Sequence, residues 1–169
     1  MRQANFIVGF NNWGKSTIIF KLFGQSRFNY HLTYQLDKLK IPMSFVVQSQ
    51  SNDDIGQEIL TRLKLRLNKT KKTKPDIFAT LCPSMDKYNN FIEILQDNIF
   101  VDFDKINLFL IKYKWEHHAE LMIDEIKKKL QDLPKINYIT IDSDKGLSLK
   151  QGTNAKVSQI RNKLVEIYS

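Results

Sequence analysis

Short apolar runs alternate with segments of helical spacing along the whole chain. Five runs are predominantly apolar, as in strands that are buried on both faces: residues 4–8, 43–48, 77–81, 106–111 and 136–141. After each run, apolar residues recur every three or four positions, which is the period of one helix face. The alternation predicts five βα units, and hence an α/β fold whose parallel sheet is covered by helices on both faces.

Capping residues predict where the helices begin and end. The first helix is expected to end at Gly24, the second to begin at Ser51 or Asn52, and the third to begin at Ser84. The residues of these later helices that are expected to face the core are Ile55, Ile59, Leu63 and Leu67, then Tyr88, Phe91, Ile92 and Leu95, then Ala119, Met122, Ile123, Ile126, Leu130 and Leu133, and finally Val157, Ile160, Leu164 and Tyr168. Residues 28–41 predict one extra helix, with inward-facing Leu32, Leu36 and Leu39.

One glycine-rich pattern stands between the first predicted strand and the first predicted helix. It reads G-x-x-x-x-G-K-S and runs from Gly9 to Ser16. Its glycines allow backbone angles that turn successive N–H groups toward a phosphate, and the helix that follows adds the positive end of its dipole. The Lys15 ammonium would reach the β- and γ-phosphates, and the Ser16 hydroxyl would ligate Mg²⁺. The pattern therefore predicts a triphosphate-binding loop with the contact residues Gly9, Asn11, Asn12, Trp13, Gly14, Lys15, Ser16 and Thr17.

Strand, loop and helix together resemble the P-loop NTPase superfamily, and in particular its kinase-like members. The resemblance implies a three-layer α/β/α fold with a five-stranded parallel sheet in the order 2-3-1-4-5, forming one nucleotide-binding domain over residues 1–169. GTPase signatures are missing from the sequence. No D-x-x-G follows the third predicted strand, and Lys112-Tyr113-Lys114-Trp115 stands where that class carries N-K-x-D. Guanine selectivity thus has no visible cause, and ATP with Mg²⁺ is the expected ligand.

P-loop enzymes usually add a strand-end carboxylate that orders Mg²⁺. The third predicted strand lacks this acid, because it ends in Leu81-Cys82-Pro83. Some nucleoside-kinase-like families keep their catalytic carboxylate after the second strand, so the resemblance makes Asp53 or Asp54 the expected catalytic acid beside Lys15. Both carboxylates could instead do no more than complement the N-terminus of a helix. Asp142, after the fifth predicted strand, is a further candidate.

Two functions fit these residues. One is an ATP-dependent phosphotransferase acting on a small molecule or a polynucleotide end, in which Lys15 holds the triphosphate and Asp53 or Asp54 acts as base or metal orienter. The other is a nucleotide-dependent switch or binding module, in which the triphosphate orders a loop for a protein partner and hydrolysis is weak or absent. The missing strand-end acid favours the switch. Arginines, which stabilise charge on a moving phosphoryl group, are few, and Arg27 lies near where kinase-like families bind the acceptor.

The charge of the chain favours anionic partners. The formal net charge is +8, and seven of the cations lie within residues 62–74, which contain no acid. This segment predicts either a solvated helix end that runs into a loop or a patch for nucleic-acid phosphates or an acidic partner. It lacks interleaved aromatic residues that could stack on bases.

Composition also bears on metal sites and location. The single cysteine, Cys82, cannot form an internal disulfide and is expected to be a packing residue. His117 and His118 would point about 100° apart on a helix, so they are expected to be polar residues at a helix start, not a metal pair. No apolar run approaches the roughly twenty residues of a membrane helix, and the first strand begins almost at once, which predicts a cytoplasmic protein without membrane contact.

Overall fold

Six strands form one sheet in the computed structural model, which describes residues 1–115 and 119–169. The strands are β1 Gln3–Val8, β2 Tyr34–Gln35, β3 Ser44–Gln48, β4 Asp76–Leu81, β5 Lys105–Ile111 and β6 Ile136–Ile141. They lie in the order β2-β3-β4-β1-β5-β6. All neighbouring pairs are parallel except β2 with β3, which is antiparallel. The fold is therefore α/β with a mostly parallel sheet, and the sixth strand, β2, corrects the predicted count of five.

Helices flank the sheet, and six are found in the described part of the chain. They are α1 Lys15–Phe23, α2 Asn52–Ile55, α3 Glu58–Lys69, α4 Phe91–Leu95, α5 Ile123–Lys129 and α6 Leu149–Tyr168. Short 3₁₀ turns precede β3, β4 and β5, at Asp37–Leu39, Lys71–Thr73 and Asn98–Phe100. Within the described ranges, no helix is long and apolar enough to cross a membrane.

Aromatic contacts place α1 and α6 on one face of the sheet. The Phe23 ring of α1 packs edge-on against Phe45 and Phe78, at centroid distances of 5.8 and 5.3 Å. Tyr168, near the end of α6, packs edge-on against the same Phe45 at 5.7 Å. On the other face, Arg66 of α3 contacts Gln48 of β3. Gln48 is in register with Ala79, the neighbour of Phe78, and successive side chains of a strand point to opposite faces.

A polar ladder crosses the sheet under α6, with Asn5 and Asn107 buried and Asn137 exposed at its end. Asn5, Asn107 and Asn137 occupy one register level of three adjacent strands. The Nδ2 of Asn107 donates to Asn5 Oδ1 at 2.9 Å, and that of Asn137 donates to Asn107 Oδ1 at 3.0 Å. Tyr168 links the ladder to Asp76, because its hydroxyl accepts from Asn5 and donates to the carboxylate, each at 2.8 Å. Burial raises the pKa of Asp76. Because unpaired polar groups would be costly here, the ladder specifies the register of these strands.

The extra helix predicted over residues 28–41 is wrong. The segment forms β2 and the 3₁₀ turn Asp37–Leu39 instead, and of the three predicted inward leucines Leu32 is 51% exposed while Leu36 is buried. Tertiary contacts override the helical spacing. Phe28 stacks on Phe20 at 5.6 Å, and the guanidinium of Arg66 takes the Phe28 carbonyl that a helix would use internally.

Three other predicted helices start or break at different residues. The helix after β4 begins at Phe91 with Asn90 as its cap, not at Ser84, and Tyr88 is 78% exposed. The helix after β3 is interrupted at Gly56, which has a φ of 59°. The helix before β6 begins only at Ile123, because the residues before it pair back toward β5. His117 and His118 lie outside the described residues.

Candidate functional site

The loop of residues 9–16 turns sharply from the end of β1 into α1. The Gly9 N–H donates to the Leu81 carbonyl at 3.1 Å, so the strand pairing continues to the first residue of the loop. Two residues then adopt left-handed backbone angles, Asn12 with a φ of 63° and Gly14 with a φ of 80°. Helix α1 begins at the next residue, Lys15. Because the first N–H groups of a helix have no intrahelical partner, this turn leaves several donors for a ligand at the end of the sheet.

The Lys15 ammonium is held between the loop and the segment after β3. It donates to the Phe10 carbonyl at 2.8 Å and lies 3.6 Å from Asp53 Oδ2. The Lys15 side chain is 7% exposed and that of Asp53 is 13% exposed, so both side chains are largely shielded from solvent. The Ser51 hydroxyl also donates to Asp53. A nearly buried cation and a nearly buried carboxylate thus meet at one point, although Lys15 and Asp53 lie 38 positions apart in the sequence (53 − 15).

The two neighbouring acids have different roles in the structure. Asp54 accepts a hydrogen bond from the Ser51 N–H at 3.3 Å and completes a reciprocal capping box at the start of α2. The alternative that an acid only complements the N-terminus of a helix therefore describes the contacts of Asp54. Asp53 instead turns its carboxylate toward Lys15.

Asn52 fixes the turn that carries Asp53. It is 1% exposed, and its Nδ2 donates to the carbonyls of Cys82 and Asn89 at 2.9 and 2.7 Å. Its Oδ1 accepts from the Cys82 N–H at 2.7 Å. These three bonds tie α2 to the end of β4. The sequence indicated Asn52 only as a helix cap, because nothing local in the sequence shows that its partners lie thirty residues away.

The Ser16 hydroxyl contacts the end of β3. It donates to the Ser49 carbonyl at 2.9 Å, and the Thr80 hydroxyl donates to the same carbonyl at 2.9 Å. Ser16 and Asp53 line one cavity, so the site offers the hydroxyl and carboxylate oxygens that Mg²⁺ prefers. In the part of the chain that the structure describes, no group of three or more His, Cys, Asp or Glu side chains could hold a metal ion. A magnesium ion here would therefore need ligands from a phosphate or from water as well.

A cavity of about 340 Å³ opens over this loop. Its described lining residues are Asn11, Asn12, Trp13, Gly14, Lys15, Ser16, Thr17, Asp53, Asp54, Trp115 and Leu149. Seven of the eight predicted triphosphate contacts and both predicted acids line it; Gly9 lies below it, at the end of β1. Both tryptophans of the chain are in its wall.

Of the apolar residues in the wall, Leu149 was not predicted as part of the site. Trp115 follows β5, and Leu149 is the first residue of α6. Trp13, which is 6% exposed, packs edge-on against Phe10 with the ring centroids 5.8 Å apart. The position of Trp115 after a predicted strand already makes it a site candidate, because ligands of open parallel sheets bind at the carboxyl ends of the strands.

The other candidates from the sequence are outside the described cavity lining. Asp142 exchanges hydrogen bonds with Gln159 of α6, through its N–H at 2.9 Å and its carboxylate at 3.1 Å. Arg27 is exposed. Cys82 is buried, and burial, followed by the Asp53 charge, raises the pKa of its thiol to about 11. A thiol with that pKa is almost entirely protonated near neutral pH and is a poor nucleophile.

Comparison of the chain with protein-family models, with curated proteins and with solved structures finds no significant match. The function of the chain is therefore inferred from the geometry of this cavity and from the chemistry of the residues that line it.

Proposed function

We propose that this chain binds Mg·ATP through residues 9–16 as a P-loop protein and acts as a kinase-like phosphotransferase on a small molecule or a polynucleotide end. The observation that carries the proposal is the meeting of Lys15 and Asp53, at 3.6 Å, in a cavity walled by the loop. The relative order of the parallel strands, β3-β4-β1-β5-β6, also supports it, since the resemblance to P-loop NTPases implies that order.

The triphosphate would lie at the polar end of the cavity. The amides at the start of α1 would donate to its oxygens, and Lys15 would exchange the Phe10 carbonyl for a phosphate oxygen. Ser16 would turn its hydroxyl from the Ser49 carbonyl toward Mg²⁺. Held by Ser16, the metal ion would supply positive charge that neutralises negative charge developing on the phosphates.

The nucleobase would lie at the apolar end. Trp115 offers an aromatic face and Leu149 offers aliphatic surface on the same cavity wall. Stacking of a base on an aromatic side chain is worth about 1–3 kcal/mol and does not depend on which base is present. ATP remains the expected nucleotide because no guanine-reading motif occurs in the sequence.

Asp53 would act on the acceptor. Its carboxylate accepts from Ser51 and faces Lys15, so it is oriented toward the cavity before a ligand arrives. In that position it can accept the proton of an attacking hydroxyl or orient the metal ion. Asp54 is engaged in the helix cap, which leaves Asp53 as the residue proposed to act in transfer.

A nucleotide-dependent switch is the second candidate, and one observation favours it. Lys15 is the only cationic side chain among the described residues that line the cavity. Phosphoryl transfer usually needs a further positive group to stabilise the transition state. A triphosphate held by this lining would then turn over slowly, and the hydrogen bonds of Ser16 and Lys15 that it displaces would change the segments after β1 and β3.

Replacing Lys15 with alanine is expected to weaken Mg·ATP binding by about 10- to 150-fold, because a charge-assisted hydrogen bond contributes about 1.5–3 kcal/mol. Isothermal titration calorimetry measures the affinity. Lys21→Ala is the matched control: Lys21 lies on the same helix, is exposed and bonds Asn154 instead. The control should change the affinity by no more than about twofold. Equal affinities for the wild-type chain and Lys15→Ala would contradict the proposed site.

A further inference from the structure

A second cavity, of about 320 Å³, lies between the segment before β2 and the C-terminal end of α3. Three lysines line it, together with a histidine and three threonines: Lys69, Lys71, Lys72, His31, Thr33, Thr70 and Thr73. We call it the lysine cleft. No acidic side chain and no Phe, Tyr or Trp is among its described lining residues.

The structure divides the basic segment 62–74 into two parts. Arg62, Lys64 and Arg66 are used within the protein: Arg62 pairs with Glu58, Lys64 pairs with Asp97, and Arg66 is buried. The remaining cations are exposed lysines that have no hydrogen-bond or ion-pair partner among the described residues, namely Lys69, Lys71, Lys72 and Lys74. The usable positive charge is therefore concentrated at the end of α3, not spread over the whole segment.

The walls of the lysine cleft are held together by Arg66. Its guanidinium donates to the carbonyls of Phe28 and Asn29 at 3.3 and 3.1 Å, and it stacks on the Tyr30 ring at 4.1 Å. On its own side of the cleft, the Arg66 carbonyl accepts from the Thr70 hydroxyl at 2.7 Å. Arg66 thus fixes the loop before β2 through its buried side chain and contacts the turn after α3 through its backbone carbonyl. The backbone that carries the lysines is therefore in place before a ligand binds.

The lysine cleft is separate from the triphosphate cavity. The turn that carries its lysines leads into the first residue of β4, whereas the loop of residues 9–16 follows the last residue of β1. These two strands are parallel neighbours, so the two features lie near opposite ends of the strands. A strand of six residues spans about 20 Å, which is too far for one nucleotide to reach both.

We propose that the lysine cleft binds the phosphate backbone of nucleic acid without reading its sequence. From Lys69 to Lys74 the donors extend over roughly 10 Å at the rise of a 3₁₀ turn, which is longer than one phosphate group and suits successive phosphates of a strand. Lysines and hydroxyls are the donors that position a backbone, and no Phe, Tyr or Trp on which a base could stack is among the described lining residues. The overall charge of +8 would add long-range attraction.

Fluorescence anisotropy with a labelled single-stranded oligonucleotide of mixed sequence, at several salt concentrations, tests this proposal. If three or four lysines contact phosphates, the logarithm of the binding constant should fall against log salt with a slope of about −2 to −3. The variant Lys71→Gln/Lys72→Gln should reduce the slope by about 1.4 and weaken binding at low salt. Lys127→Gln/Lys128→Gln, which removes two exposed lysines from α5, is the matched control and should retain the wild-type slope.

Four results would overturn the proposal. The first is that the oligonucleotide does not bind, and the second is that the α5 control loses as much affinity as Lys71→Gln/Lys72→Gln. The third is that tripolyphosphate competes as strongly per molecule as the oligonucleotide, and the fourth is that polyglutamate binds more tightly than the oligonucleotide. The last two would assign the cleft to a small polyanion or to an acidic protein. Lys15→Ala should bind the oligonucleotide as the wild-type chain does, so the outcome is independent of the proposed ATP site.

Discussion

Transfer of the terminal phosphoryl group of ATP is expected to fall by about 10²- to 10⁴-fold when Asp53 is replaced by asparagine, which is the usual contribution of a positioned general base. The amide keeps the size of the side chain but cannot accept the proton of an attacking hydroxyl. Label from γ-³²P ATP is followed into water and into pools of nucleosides, sugars and oligonucleotides. The Asp53 carboxylate faces Lys15 in the cavity proposed to hold the triphosphate, so removing its charge tests the role proposed for it.

Asp54→Asn is the matched control for this experiment. The adjacent carboxylate caps α2 through the Ser51 N–H, so its removal should cost about 0.5–2 kcal/mol of stability and change the transfer rate by only a few-fold. A rate that depends equally on both acids would contradict the assignment of Asp53. If wild-type protein moves no label to water or to any acceptor, the phosphotransferase proposal fails and the switch remains.

Lys156→Met is expected to lower the free energy of unfolding by about 3–5 kcal/mol, because it leaves a buried carboxylate without its counter-charge. Lys156 Nζ lies 2.8 Å from Asp144 Oδ2, and the two side chains are only 4% and 2% exposed. Asp144 Oδ1 has no hydrogen-bond partner among the described residues, so the lysine is its main compensation. Urea unfolding followed by circular dichroism gives the free-energy difference.

Two further variants separate the buried charge from other effects. Asp144→Leu/Lys156→Met, which removes both charges, should recover much of the lost stability. Lys163→Met breaks an ion pair of similar length, 2.9 Å to Glu166, but at the surface, and should cost less than about 1 kcal/mol. A loss in Lys156→Met as small as that of the surface control, or a double variant no more stable than the single one, would show that the buried pair does not hold the turn before α6.

The local parts of the fold were predictable from the sequence because local patterns determine them. The five predicted strands and the C-terminal helix have strong local patterns, and the structure contains all of them, with the strands within one residue of their predicted bounds. Gly24 ends α1 with a φ of 62°, as its position after the apolar stripe indicated. The helix predicted for residues 28–41 was wrong because the contacts that shape this segment, from Phe20 and Arg66, come from residues that are distant in sequence.

The site was only partly predictable for the same reason. The loop of residues 9–16 is one continuous pattern, and the rule on strand ends placed Asp53 and Asp54 near it. The choice between these two acids depends on whether Ser51 uses one of them as a cap, which only the folded geometry decides. Asn52 supports the site through partners far along the chain, so no spacing in the sequence reveals that role.

The central claim is that ATP occupies the cavity with its phosphates at the loop and its base at Trp115. Fluorescence of two single-tryptophan variants tests it most directly, because both tryptophans line that cavity. Trp115→Phe retains Trp13 at the phosphate end, and Trp13→Phe retains Trp115 at the apolar end. With Mg²⁺ present, ATP should change the emission of both variants, whereas tripolyphosphate should change only that of Trp13. Absence of any response to millimolar Mg·ATP in both variants would contradict the claim.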